Sequence, residues 1–184
     1  MLISVTKFEA ARRQLNTAIR LMFGGVDPIA VHTLLGAASV LLSDLAELHD
    51  PTDRWEAWAQ RANNISEKAY FHVARAAQNF LKHADRDAGA TLELHLSDTD
   101  ALAFGAVMNV QLFDSLSIEE SVLQLWYIAS YDPEGDGCGD LFHTAVSIFG
   151  DLRHVDHPVR LKRAHDILLR ETLARTGSPQ SSAK

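Results

Sequence analysis

Helix start signals recur from one end of this chain to the other, and they constrain the fold more than any other feature. Each signal joins a residue that can accept a hydrogen bond from a free helix N–H group to a residue that suits the first turn. The pairs are Thr6–Glu9, Asp27–Pro28, Asp53–Glu56, Ser97–Asp100, Ser117–Glu120 and Asp156–Pro158. This punctuation predicts a chain built from helices.

The spacing of apolar residues after these signals is helical. Phe8, Leu15, Ile19 and Met22 follow the first signal at intervals that place them on one face of a helix. The segment after Asp27 is apolar on most faces, which is typical of a helix at the centre of a bundle. Runs of alternating β-branched residues are lacking. We therefore expect an all-α fold, a compact helical bundle of roughly six to eight helices.

Composition narrows the classes of protein that fit. Apolar residues make up 47% and charged residues 22% of the chain, as in a globular domain, which we place at residues 1–176 with a disordered tail at 177–184. The single cysteine, Cys138, excludes an internal disulfide framework. Charge comes too early for a secretory signal, and no run approaches the roughly 18 to 20 apolar residues of a membrane span. These features predict a cytoplasmic protein that does not enter a membrane.

A stripe of polar side chains on the predicted helix over residues 65–84 is the strongest candidate for a site. At helical spacing, Ile65, Ala69, Val73, Ala77, Phe80 and Ala84 form its apolar side. The polar stripe on the adjoining flank consists of Lys68, His72, Arg75, Asn79, Lys82 and His83. Lysine and arginine neutralise phosphate, asparagine orients it, and histidine exchanges protons near neutral pH. The alternative is a solvated surface whose histidines and asparagine only satisfy hydrogen bonds between helices.

The run "RAAQNFLKHA" within this stripe resembles the polar-plus-histidine motif of the HEPN superfamily of helical bundles. The resemblance implies a homodimer in which Arg75 and His83 line a cleft at the interface and cleave RNA without a metal. Seven residues separate Arg75 from His83, one more than the family spacing, and Ala76 replaces the usual polar follower. The runs "DPIAVHTLLGAA" and "NFLKHADRD" also resemble a bacterial all-α family, a likeness that implies no chemistry.

Metal and cofactor motifs are weak. The loop at 132–143 has carboxylates at several EF-hand ligand positions, but His143 stands where the bidentate glutamate belongs. The nine histidines include no HExxH motif and no pair of Glu-x-x-His motifs. Phosphate-binding glycine motifs and the G-x-S-x-G motif are missing as well. We expect no metal site and no cofactor, and whether the 132–143 loop binds a cation stays open.

Three functional hypotheses follow. The first is a binding or regulatory module, HEPN-like, whose stripe contacts a protein partner or RNA; Lys68, His72, Asn79 and Lys82 would bind. The second is a metal-independent ribonuclease in which His83 is the acid or base and Arg75 stabilises charge on the phosphate. The third is a structural scaffold. A net charge of −7 argues against a general nucleic-acid coat but leaves room for a local basic site.

Overall fold

Helices account for every regular element in the computed structural model, which describes residues 1–83, 85, 88–132 and 139–177. Its nine helices are α1 Lys7–Phe23, α2 Pro28–His49, α3 Trp55–Asn63, α4 Glu67–Ala74, α5 Ala76–Lys82, α6 Leu96–Val110, α7 Ile118–Tyr131, α8 Asp140–Phe149 and α9 His157–Gly177. The prediction of an all-α bundle is confirmed. The described residues hold one helix more than the predicted upper number because the helix expected over 65–84 is divided at Arg75.

Two capping boxes are formed as the sequence predicts. The side chain of Thr6 accepts from the backbone N–H of Glu9, while the Glu9 carboxylate accepts from the backbone N–H of Thr6. Ser117 and Glu120 make the same reciprocal pair at the start of α7. Asp27 caps α2, with Pro28 in the first turn. Local sequence therefore fixes these three starts.

The start of α3 differs from the prediction because a distant residue caps it. Arg54, not Asp53, is the N-cap residue, and its side chain makes no cap hydrogen bond. Instead, the backbone N–H of Trp55 donates to Oδ1 of Asn109, on α6, at 2.9 Å. The expected pair of Ser97 and Asp100 does not cap α6 either, since that helix begins at Leu96 with His95 as its N-cap residue. The run "TLELHL" over residues 91–96 alternates apolar and polar residues, as a short strand does, but residues 91–95 form no strand.

The core lies where α2 packs between α1 and α6, while α7 packs against α8 and α9. The largest fully buried apolar side chains are Leu15, Ile19, Leu35, Leu42, Leu123, Leu152 and Trp126, with Val31, Val107 and Val110 beside them. The central position predicted for α2 is therefore found. By length and composition alone α2 is also apolar enough to cross a membrane. Its buried face packs inside the bundle, and a helix in the core of a soluble protein can have the same length and composition.

A buried ion pair fastens α1 to α7. Nε of Arg12 donates to Oε1 of Glu120 at 2.9 Å, and a second guanidinium nitrogen donates to Oε2 at 2.8 Å. The Glu120 side chain is fully buried, and the same carboxylate takes part in the capping box of α7. These hydrogen bonds raise the pKa of the Arg12 guanidinium and keep it charged. One carboxylate thus holds both the helix start and the contact between two helices.

Candidate functional site

The predicted stripe is carried by two short helices rather than one. Arg75 has φ −103° and ψ 1°, so it ends α4 and precedes α5. The face turned toward the bundle also differs from the prediction: Val73 is 76% exposed and Ile65 42% exposed. The apolar side chains that are at least half-buried include Ala77 and Phe80 of the predicted apolar side, but also Tyr70, Phe71, Ala74 and Leu81 outside it. The most buried side chain of the segment is that of Gln78, which is 4% exposed.

Glycine on α2 explains this orientation of α5. Nε2 of Gln78 donates to the backbone carbonyl of Gly36, and a Cβ at position 36 would lie 2.9 Å from Cγ of Gln78. The missing side chain therefore leaves the space in which the glutamine packs. Sequence periodicity could not identify this face, because it is anchored by a polar residue whose partner lies 42 residues away.

Four members of the stripe stand free on the surface. Lys68, His72, Asn79 and Lys82 are exposed, and their side chains make no hydrogen bond or ion pair with another described residue. The scaffold hypothesis would be favoured by a carboxylate of a neighbouring helix bound to these side chains, but Asp44 is exposed and Asp114 binds Arg12.

The structure does not bring Arg75 and His83 together around one point. The Arg75 guanidinium lies over the ring of Phe71, 4.1 Å from its centroid. His83 is half-buried, with Nδ1 3.9 Å from a carboxylate oxygen of Asp85. Eight residues of mainly helical chain at about 1.5 Å each place the two backbones about 12 Å apart along α5.

Metal ligands do not cluster in the part of the chain that the structure describes: no group of three histidine, cysteine or carboxylate side chains could hold an ion there. Residues 133–138 of the predicted EF-hand-like loop, including Cys138, lie outside the described residues. So do residues 178–184 of the predicted tail.

A cavity of about 460 Å³ lies near the start of α9. We call it the α9 pocket. Its wall comes from the connection between α1 and α2, the first turns of α2 and α6, and the first half of α9. The apolar lining residues are Met22, Phe23, Val26, Pro28, Val31, Leu96, Pro158 and Leu161, and the polar ones are Thr99, Asp100, His157, Lys162 and His165. A volume of this size and a mostly apolar wall with few polar groups are typical of small-molecule sites.

A buried carboxylate organises the polar side of the α9 pocket. Oδ2 of Asp100 accepts from the hydroxyl of Tyr131 at 2.6 Å and lies 2.9 Å from Nε2 of His157. The Asp100 side chain is 1% exposed and the His157 side chain 16% exposed. Burial and the Asp100 carboxylate raise the pKa of Tyr131 above its ordinary value, so its hydroxyl keeps the proton that it donates.

This contact orients the His157 ring. Because a carboxylate accepts hydrogen bonds, Nε2 is the nitrogen that carries a proton toward Asp100, and Nδ1 is the nitrogen left for a molecule in the pocket. The ring also lies edge-on to Trp126, with centroids 6.3 Å apart. The arrangement is that of an imidazole held in one orientation by a carboxylate, which suits hydrogen bonding to a ligand or proton transfer.

A second histidine stands directly behind the pocket wall. His32, on α2, is 2% exposed, and its Nδ1 lies 3.0 Å from the hydroxyl of Thr99, a lining residue. Its Nε2 is buried without a partner among the described residues. Burial lowers the pKa of His32, so the neutral imidazole is favoured.

Sequence reasoning missed these residues. Asp100 has the spacing of a capping partner for Ser97, and His157 belongs to no catalytic or metal-binding motif of the sequence. The carboxylate of Asp100 instead turns inward from the fifth residue of α6. Alone, a buried aspartate in the first turns of a helix is indistinguishable in sequence from a capping one. The sequence does give one signal for this site: His157 and His165 lie in the helix that starts at Asp156–Pro158.

Comparisons with known proteins add no information about this site. Neither models of protein families, nor curated protein sequences, nor solved structures gave a match to this chain.

Proposed function

We propose that this protein is a binding protein that holds a small, mainly apolar molecule in the α9 pocket. The observation that carries the proposal is the combination of a 460 Å³ cavity with the buried Asp100–His157 pair at its edge. Burying a charged carboxylate costs free energy that packing alone does not require. A site that must orient a ligand has a use for that arrangement, because it fixes the imidazole facing the cavity.

Binding of a neutral apolar dye, N-phenylnaphthylamine, tests the proposal. We expect a saturable rise in dye fluorescence with one dye per chain. Leu161→Trp places a larger side chain at the wall of the pocket and should abolish the rise. Leu169→Trp is the matched control, since Leu169 is 50% exposed on the same helix and does not line the pocket.

A second blocking variant keeps the test decisive if Leu161→Trp fails to fold. Leu96→Trp changes a lining residue that is 41% exposed, where a larger side chain is tolerated more easily. The tryptophan fluorescence of the wild-type chain gives an independent reading, because one of its three tryptophans, the fully buried Trp126, contacts the lining residues Phe23 and His157. Dye binding that survives both blocking variants would contradict the proposal.

A second candidate function uses the polar stripe as a binding surface for RNA or a protein partner. It is supported by the four exposed side chains of Lys68, His72, Asn79 and Lys82, which have no partner among the described residues. Anisotropy of labelled single-stranded RNA at several salt concentrations tests the RNA hypothesis. Replacing both Lys68 and Lys82 by alanine should weaken binding and flatten its salt dependence. Equal binding by wild type and the double variant would refute it.

A further inference from the structure

Two basic side chains line the α9 pocket beyond His157. Lys162 and His165 lie one and two turns into α9 beyond His157, and both line the cavity. The Lys162 side chain is 73% exposed and that of Asp100, the single acidic lining residue, only 1%. A molecule entering from solvent therefore meets the ammonium group of Lys162 before it meets the carboxylate of Asp100.

The ion pair between Lys162 and Asp166 leaves the ammonium group able to bind an anion. Its Nζ lies 2.7 Å from Asp166, an exposed i,i+4 partner on the same helix. Pairs of this kind contribute little to stability because water screens both charges. An anion held in the pocket next to Lys162 can share or replace that contact at small cost.

The backbone adds a field of the same sign. The first residues of α2, α6 and α9, namely Pro28, Leu96 and His157, all line the pocket. Helix N-termini carry partial positive charge; the N-cap residue of α6 makes no side-chain cap hydrogen bond, and the one acidic side chain in its first turn is that of Asp98. The C-terminal end of α1 opposes this field, and Asp27 occupies N–H groups of α2. The helix N-termini therefore add to the positive field of Lys162 at the pocket, and the side chains decide the sign of that field.

A cationic ligand fits less well. It would have to reach Asp100, whose Oδ2 already accepts from Tyr131 and faces Nε2 of His157. Displacing either partner would leave a buried polar group unsatisfied. It would also pass Lys162, which repels it.

From these observations we infer that the ligand of the α9 pocket is an amphipathic organic anion. Its carboxylate head lies against Lys162 and His165, and its hydrocarbon body lies against the apolar wall around Met22 and Leu161. The inference rests on the proposed function, since it names the class of molecule that the same pocket holds.

Three molecules with one hydrocarbon tail and different heads test the inference: octanoate, octanamide and octylamine. Titration calorimetry of the full chain near neutral pH should give an affinity for octanoate at least about tenfold above that for octanamide, with octylamine weakest. Lys162→Gln and His165→Gln should each weaken octanoate binding by about threefold or more and leave octanamide binding unchanged. Lys82→Gln removes the same charge from a residue outside the pocket, and it should bind octanoate like wild type.

The outcomes separate the inference from the function on which it rests. Octanamide or octylamine binding as tightly as octanoate would overturn the anionic head and leave the apolar pocket intact. Octanoate affinity unchanged in both Lys162→Gln and His165→Gln would do the same. If none of the three molecules and no neutral dye binds, the proposed function fails along with the inference.

Discussion

Replacing Asp100 by asparagine tests whether the buried carboxylate organises this end of the bundle. Asparagine has nearly the same shape, so the change removes the charge and leaves the packing of α6 intact. Two hydrogen bonds lose their charged acceptor, the one from Tyr131 at 2.6 Å and the one from His157 at 2.9 Å. A hydrogen bond to a charged group contributes about 1.5–3 kcal/mol and a neutral one about 0.5–1.5 kcal/mol, so each loses about 1 kcal/mol. We therefore expect a loss of about 2 kcal/mol in the free energy of unfolding, an upper value because the buried charge no longer has to be desolvated.

Urea unfolding followed by circular dichroism measures this loss, with Asp98→Asn as the matched control. Asp98 lies in the first turn of the same helix and is exposed, so its neutral variant should unfold close to wild type. The double variant with Tyr131→Phe should be more stable than the sum of the single losses predicts, by about 1 kcal/mol, because the two residues share one hydrogen bond. An Asp100→Asn variant as stable as wild type, or strict additivity in the cycle, would refute the reasoning.

Three further substitutions probe other contacts of the bundle. Glu120→Ala should lower the free energy of unfolding by about 3 kcal/mol in urea titrations, because it leaves the guanidinium of Arg12 half-buried without its main partner; a loss below about 1 kcal/mol would contradict this. Gly105→Ala should lower the melting temperature, since a Cβ there would lie 2.5 Å from the ring of Trp55, and an unchanged melting temperature would show that α3 shifts freely. Burial lowers the pKa of His32 from 6.5, so the unfolded chain binds more protons below that pH and wild-type stability falls on acidification. His32→Gln should remove this part of the acid-side slope in unfolding measured from neutral pH downward, and an identical slope would exclude His32 as its source.

Local signals in the sequence predicted the helices whose ends are stabilised by neighbours in the chain. Thr6 and Ser117 work within their own first turns, so the residues three positions away are sufficient evidence. The start of α3 was predicted one residue early because its first N–H group is satisfied by Asn109, on another helix. The local sequence contains no sign of this hydrogen bond, because its acceptor lies on a helix that only the folded structure brings close.

The face of α4 and α5 was misplaced for a related reason. Periodicity assumes that a helix continues unbroken and that apolar residues point inward. The first assumption fails because the helix is interrupted at Arg75. The second fails because the polar side chain of Gln78 is buried against Gly36. The exposed positions of Lys68, His72, Asn79 and Lys82 nevertheless agree with the prediction of a reachable polar surface.

The α9 pocket lay beyond sequence reasoning because its parts are scattered through the chain. Met22, Asp100 and His157 are far apart in sequence and meet only when α1, α6 and α9 pack around the same end of α2. The polar residues near helix starts serve two different purposes in this fold: Thr6 and Ser117 satisfy their own helices, while Asp100 turns away from its helix toward Tyr131 and His157. Nothing in the spacing distinguishes the two uses. What distinguishes them is the partner: the equally enclosed carboxylate of Glu120 accepts from the backbone N–H of Ser117 in its own helix, whereas that of Asp100 contacts side chains of two other helices. A buried acid at a helix start, beside a cavity, is therefore the feature to examine first for function in a helical bundle of this kind.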